Sequence, residues 1–66
     1  MKLSDKEQEL KKILELVSIG LNNTEISVKM NYSRSTVKRR IKDLFKIYQV
    51  NNRFRLGQEY LMERLA

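Results

Sequence analysis

Residues 22–46 read NNTEISVKMNYSRSTVKRRIKDLFK, and this stretch carries the signals for two helices separated by a very short turn. Asn22 has the side chain of a helix N-cap. Glu25 follows it three residues later, where a carboxylate can reach back to the N–H group of the cap. The first of the two helices is therefore predicted over about residues 23–30. Asn31 is expected to end it, because asparagine tolerates the left-handed backbone of a turn better than any other residue except glycine.

The second helix of this stretch is predicted over about residues 34–48, with Ser33 as its N-cap. Its apolar residues recur at helical spacing and form one side: Val37, Ile41, Leu44 and Tyr48. Its other faces carry six basic residues: Arg34, Lys38, Arg39, Arg40, Lys42 and Lys46. Two helices joined by three or four residues form a helix-turn-helix, whose second helix can enter the major groove of DNA.

The flanking sequence predicts one further helix on each side. Ser4 and Glu7 form an S-x-x-E capping box at the start of a helix over about residues 5–19, which Gly20 is suited to end. A last amphipathic helix is predicted over about residues 53–65. The apolar faces of these helices are Leu10, Ile13, Leu14 and Val17 in the first, and Leu56, Tyr60, Leu61 and Leu65 in the last. The predicted fold class is all-α, a four-helix bundle.

Length and composition limit the classes of function. The 66 residues suffice for a single domain over residues 1–66 and leave no room for a second. The chain has no cysteine and no histidine, which removes thiolate metal sites, disulfides and the commonest general base. With two glycines and no proline it has no phosphate-binding glycine-rich loop. A binding module is therefore favoured over an enzyme, and no metal or cofactor is expected.

The net charge of +6 is concentrated in the middle of the chain. Residues 1–20 sum to zero, whereas residues 21–50 carry seven basic side chains against two acidic ones. This asymmetry favours a polyanionic partner such as nucleic acid. No apolar stretch approaches the ~18 residues of a membrane span, and residues 1–5 lead into charge rather than a secretory signal. The expected location is the cytoplasm, with no membrane partner.

Three segments resemble the LuxR/GerE-type helix-turn-helix of bacterial transcription regulators. They are the Leu14-x-Leu16-Val17-x-x-Gly20-Leu21 run, Asn22-Asn23-Thr24-Glu25-Ile26-Ser27, and Tyr32-Ser33-Arg34-Ser35-Thr36-Val37-Lys38. The resemblance implies a four-helix domain whose third helix reads the major groove and whose fourth often forms a homodimer. The implied function is that of a sequence-specific double-stranded DNA-binding transcriptional regulator. The chain departs from the family at Ser27 and Gln49, where alanine and glycine are usual.

The resemblance also implies roles for individual residues. The candidates for reading bases are Lys38, Arg39 and Lys42. The candidates for contacting phosphates are Asn23, Thr24, Arg34, Ser35, Thr36, Arg40 and Lys46, although Arg40 could equally lie over the core. The candidates for a dimer interface are Tyr60, Leu61, Met62 and Leu65, which could instead close the core.

Two other classes of function are compatible with the residues. Helix-turn-helix folds can dock on RNA polymerase or another regulator, with the basic residues facing an acidic protein surface. A basic amphipathic peptide on an anionic membrane is disfavoured, because three separate capping signals indicate a folded bundle. Binding to duplex DNA separates the first of these alternatives from a DNA-binding regulator.

Overall fold

The computed structural model describes residues 4–65 of the chain. It contains four helices: α1 (Asp5–Ser18), α2 (Asn23–Met30), α3 (Arg34–Tyr48) and α4 (Arg53–Leu65). Within the described range there is no β-strand, so the predicted all-α, four-helix class is confirmed. α1 ends one residue before its predicted end, with Ile19 as its C-cap. Residues 1–3 and 66, which belong to the predicted domain, lie outside the described residues.

The first three helices begin where a side chain supplies the missing hydrogen-bond acceptor. In α1, the Ser4 hydroxyl accepts from the Glu7 N–H group at 3.2 Å, and the Glu7 carboxylate accepts from the Ser4 N–H group. In α2, Asn22 Oδ1 accepts from the Glu25 N–H group at 2.8 Å, and Glu25 Oε1 accepts in return at 2.9 Å. In α3, the Ser33 hydroxyl accepts from the Thr36 N–H group at 3.1 Å, without a reciprocal bond from a carboxylate. The predicted caps are confirmed, and each satisfies backbone donors that the helix itself leaves free.

The helix ends use left-handed backbone. Asn31 ends α2 with φ 58° and ψ 44°, and Gly20 follows α1 with φ 95°. Both assignments were predicted from the sequence. Gln49 ends α3 in the same region, with φ 55° and ψ 44°, although its side chain gives no signal for this conformation. A residue with a β-carbon is strained in left-handed backbone. Glycine at position 49 would therefore have a lower conformational energy than glutamine.

The end of α3 gives a first testable prediction. We expect Gln49→Gly to raise the free energy of unfolding by up to ~1 kcal/mol, because glycine adopts the left-handed backbone without strain. Gln49→Ala is the control, and it should leave stability nearly unchanged because it keeps the β-carbon. Urea denaturation of the three proteins measures both differences. If the Gln49→Gly protein were less stable than the Gln49→Ala protein, the backbone at position 49 would not be strained by a β-carbon.

The core takes one fully buried residue from each helix: Ile13, Ile26, Val37 and Leu56. Further apolar side chains pack around these four: Leu10, Leu14, Leu16, Val17, Ile41, Leu44 and Tyr60. α1 and α3 each contact the other three helices, and the most extensive contact in the bundle joins α1 to α4. The helix-turn-helix pair therefore packs its apolar sides on α1 and turns its remaining faces outward. Within residues 4–65, none of the helices combines the length and hydropathy needed to cross a bilayer.

α4 is held against the bundle by a close approach and a hydrogen bond. Gly57 is buried against α1, and a β-carbon there would lie 3.5 Å from the Cα atom of Ser18. A β-carbon at that distance would make an ordinary van der Waals contact, so the packing leaves room for alanine at this position. The Tyr48 hydroxyl of α3 donates to Glu63 Oε2 of α4 at 2.7 Å. Burial and this hydrogen bond raise the pKa of Tyr48 to about 12.

Candidate nucleic-acid interface

α3 has one buried side and one strongly basic side. Val37, Ile41 and Leu44 are buried. Six polar side chains, which we call the basic face of α3, are exposed on its other side: Arg34, Ser35, Lys38, Arg39, Lys42 and Lys46. The separation follows from the helical period of ~3.6 residues, which places the apolar residues three and four apart on a single side.

The three candidates for reading bases all lie on the basic face. Lys38 and Lys42 are one helical turn apart, and Arg39 lies between them on the side of α3 farthest from the core. The salt bridge found among residues 4–65 joins Arg40 to Glu9. Lys38, Arg39 and Lys42 form no salt bridge within that range. Their positive charge is therefore available to an external anion.

An open polar concavity lies beside the basic face, where the first turns of α2 and α3 meet. Its lining residues are Asn22, Asn23, Thr24, Arg34, Ser35, Lys38 and Arg53. Four of the predicted phosphate contacts are brought together here, namely Asn23, Thr24, Arg34 and Ser35. The first turns of both α2 and α3 contribute to this lining, and the positive end of a helix dipole favours an anion such as phosphate.

Arg53 was not singled out in the sequence, yet it forms part of this concavity. Its Nη1 donates to Asn23 Oδ1 at 2.7 Å, and its Nη2 donates to the carbonyl oxygen of Leu21 at 2.6 Å. Burial lowers the pKa of the guanidinium, which nevertheless stays positively charged at neutral pH. The first residue of α4 thus binds the first residue of α2, 30 positions away. Local sequence patterns contain no signal for such a contact.

The geometry agrees with a comparison against known families. The family model GerE, described as bacterial regulatory proteins of the LuxR family, matches residues 1–58. The chain belongs to the LuxR family. The resemblance found in the sequence is thereby confirmed, and the helix-turn-helix is the DNA-binding domain of a transcription regulator, in a family that is regulatory and not enzymatic. Comparisons with curated proteins and with solved structures found no match.

Two further predicted phosphate contacts of this LuxR-family domain, besides Asn23, have partners within the protein. Arg40 Nε donates to Glu9 Oε1 of α1 at 3.2 Å. The Thr36 hydroxyl lies 2.9 Å from the Ser33 hydroxyl at the cap of α3, and Thr36 is half-buried. Both side chains contribute to local structure as they stand, and their contact with phosphate stays a prediction. Lys46 is exposed near the other end of the basic face.

Glu9 joins three parts of the LuxR-family domain and was missed in the sequence. Its carboxylate accepts from the phenol of Tyr32 in the turn and from Arg40 in α3. The hydrogen bond from Tyr32, and then the bond and charge of Arg40, hold the pKa of Glu9 below its usual value. The same hydrogen bond to Glu9 raises the pKa of Tyr32. α1 thereby fixes both the turn and the inner flank of α3.

The low pKa of Glu9 predicts a pH-dependent contribution to stability. The contribution is full above the unfolded pKa of about 4.5 and is lost as the pH falls through the lower folded pKa. We expect Glu9→Gln to lower the free energy of unfolding by ~1 kcal/mol at neutral pH. The difference should shrink in acid, where the wild-type carboxylate is also neutral. Urea denaturation at a series of pH values measures it, and a gap that stayed constant into strong acid would contradict this role.

α4 presents an apolar surface to solvent. Leu61, Met62 and Leu65 are exposed, as their assignment to a dimer interface requires, and Phe54 adds to them with 74% of its surface exposed. We call these four residues the apolar stripe of α4. Tyr60 is a correction to the predicted interface, because it is only 5% exposed and closes the core, with the Arg64 guanidinium 5.9 Å from its ring centroid. Its position one turn after Leu56 places it on the inner side of α4.

Proposed function

We propose that the protein is a sequence-specific regulator of transcription that places α3 in the major groove of double-stranded DNA. Residues 1–66 then act as one helix-turn-helix DNA-binding domain. The observation that carries the proposal is the basic face of α3, which is exposed along the helix while Val37, Ile41 and Leu44 pack inward. The 15 residues of α3 span ~22 Å, and the major groove, ~12 Å wide, admits a helix.

The residues divide between two kinds of contact. Lys38, Arg39 and Lys42 read base edges, where a lysine or arginine is suited to the O6 and N7 atoms of guanine. The concavity binds the DNA backbone through Asn23, Thr24, Arg34 and Ser35, with Lys46 contacting phosphate farther along α3. Phosphate contacts fix the position of α3 in the groove, and the base contacts then supply the discrimination between sequences.

The regulator acts as a homodimer through α4. The support for this is the apolar stripe, which includes the most exposed large apolar side chain among residues 4–65, Leu65 at 86%. A second copy of the stripe would cover it by two-fold symmetry. Helix-turn-helix dimers bind half-sites about one helical turn of DNA apart, so the target is expected to be repeated. RNA polymerase is a further candidate partner, and the cytoplasm is the proposed location.

The test is a fluorescence-anisotropy titration of the purified protein with random duplex DNA at several salt concentrations, followed by selection of bound sequences from a random pool. We expect binding at low salt whose affinity falls steeply between ~50 and ~200 mM salt. The selected sequences should share a short motif, repeated at a fixed spacing. A protein that bound no duplex at low salt would instead favour docking on RNA polymerase or another regulator.

A further inference from the structure

Arg53 links two surfaces that the proposed function uses separately. It is the first residue of α4, the helix that carries the apolar stripe. Through its Nη1 and Nη2 atoms it holds both the side chain of Asn23 and the backbone of Leu21, at 2.7 and 2.6 Å. Two short hydrogen bonds from one rigid guanidinium leave the start of α2 little freedom to rotate relative to α4.

The bond to Asn23 also selects which end of the amide is left for an external partner. An asparagine side chain has an oxygen that accepts hydrogen bonds and an NH₂ group that donates them. Arg53 occupies Oδ1, and no acceptor among residues 4–65 engages Nδ2. The amide lines the concavity beside Arg34 and Ser35, so the group left to a ligand there is a donor. A phosphate oxygen is an acceptor and matches it.

We propose that Arg53 is a positioning residue for the DNA backbone, which acts by holding the Asn23 amide with its NH₂ group toward a phosphate. This role rests on the proposed DNA binding, and it adds Arg53 to the residues that support the contact with the DNA backbone. Arg53 serves here through Asn23: one N–H of Nη1 donates to the Asn23 side chain, one N–H of Nη2 donates to the Leu21 carbonyl oxygen before α2, and the side chain is half-buried. The neutral donor, and not the charge of Arg53, makes the contact with DNA.

Salt dependence separates this role from a direct contact. A cation that neutralises a phosphate releases counterions, so its loss reduces the slope of log affinity against log salt by ~0.9. We expect Arg53→Ala to weaken binding to duplex DNA by ~10-fold at fixed salt and to leave this slope unchanged. Arg53→Lys should recover part of the loss, because an ammonium can still donate to Asn23. Arg55→Ala is the matched control: Arg55 is exposed in the same turn and does not line the concavity.

A double-mutant cycle tests whether Arg53 acts through Asn23. We expect Asn23→Ala alone to weaken binding about as much as Arg53→Ala, and the double variant to bind no worse than either single variant. Asn23→Asp keeps an acceptor for Arg53 but has no donor. It should therefore melt at or above the wild-type temperature while binding DNA ~10-fold more weakly.

Each of these results can overturn the proposal. A salt slope reduced by about one in Arg53→Ala would mean that the guanidinium itself contacts phosphate. Losses that multiply in the double variant would mean that the two residues act independently. If Arg53→Ala does not fold, Asn23→Asp decides the question, because wild-type affinity in that variant would exclude the amide as donor. A wild-type protein that binds no duplex overturns the proposed function first, and this role with it.

Discussion

The double variant Lys38→Ala/Lys42→Ala is expected to lose at least ~100-fold in affinity for its selected DNA site and most of its preference for that site over random duplex. A good contact between a basic side chain and guanine contributes ~1–3 kcal/mol of discrimination, and two such contacts are removed together. Both side chains are exposed on the basic face, one turn apart, so their truncation removes no buried packing. The fold is therefore expected to keep its stability.

The matched control is Lys11→Ala/Lys12→Ala, which removes the same charge from exposed positions on α1. We expect this variant to lose only the general electrostatic attraction, equally for the selected site and for random duplex. Anisotropy titrations of both variants against both duplexes give the two specificity ratios. The assignment of α3 as the reading helix would be wrong if the two variants lost the same affinity and kept the same ratio.

The features predicted from the sequence are those that local chemistry determines. An N-cap and the carboxylate three residues later belong to the same turn. Ser4 and Asn22 therefore predict the starts of their helices from local sequence alone. The sides of α3 follow from periodicity alone, so the exposure of Lys38 and Lys42 could be predicted before any packing was known. The left-handed residue Asn31 was predicted for the same local reason.

The features that were missed depend on packing between distant segments. Glu9 and Arg40 are 31 residues apart, and Arg53 and Asn23 are 30 residues apart. Each pair meets only because α1 or α4 packs near the helix-turn-helix, and this arrangement is not determined by periodicity. Gln49 was missed for another reason, since backbone hydrogen bonds from Gln49 and Val50 to the last carbonyls of α3 close a left-handed turn that the Gln49 side chain itself disfavours. The site therefore has a predictable basic face and an unpredictable set of supporting bonds.

The short helix α2 gives the largest expected effect on stability. It has only eight residues, of which Ile26 and Ser27 are buried, and Ile26 is fully buried. An isolated helix of this length is unstable in water, so α2 depends on this packing for its structure. We expect Ile26→Ala to lower the free energy of unfolding by ~2–5 kcal/mol. Small domains are stable by only ~0.05–0.15 kcal/mol per residue, so a substantial fraction of the protein should be unfolded at room temperature.

Val28→Ala is the control, because Val28 lies on the same helix with 76% of its surface exposed and should change stability by no more than ~0.5 kcal/mol. Ile26→Ala and Lys38→Ala/Lys42→Ala are then expected to lose DNA binding for different reasons. Ile26→Ala lowers DNA affinity only by reducing the folded fraction, so a temperature at which that variant is fully folded should restore near-wild-type binding and site preference. Lys38→Ala/Lys42→Ala should stay defective at every temperature, because its folded state lacks the contacts themselves. Circular dichroism and anisotropy on the same samples measure both quantities. An Ile26→Ala protein that was fully folded and still failed to bind would show that α2 does more for recognition than hold the concavity in place.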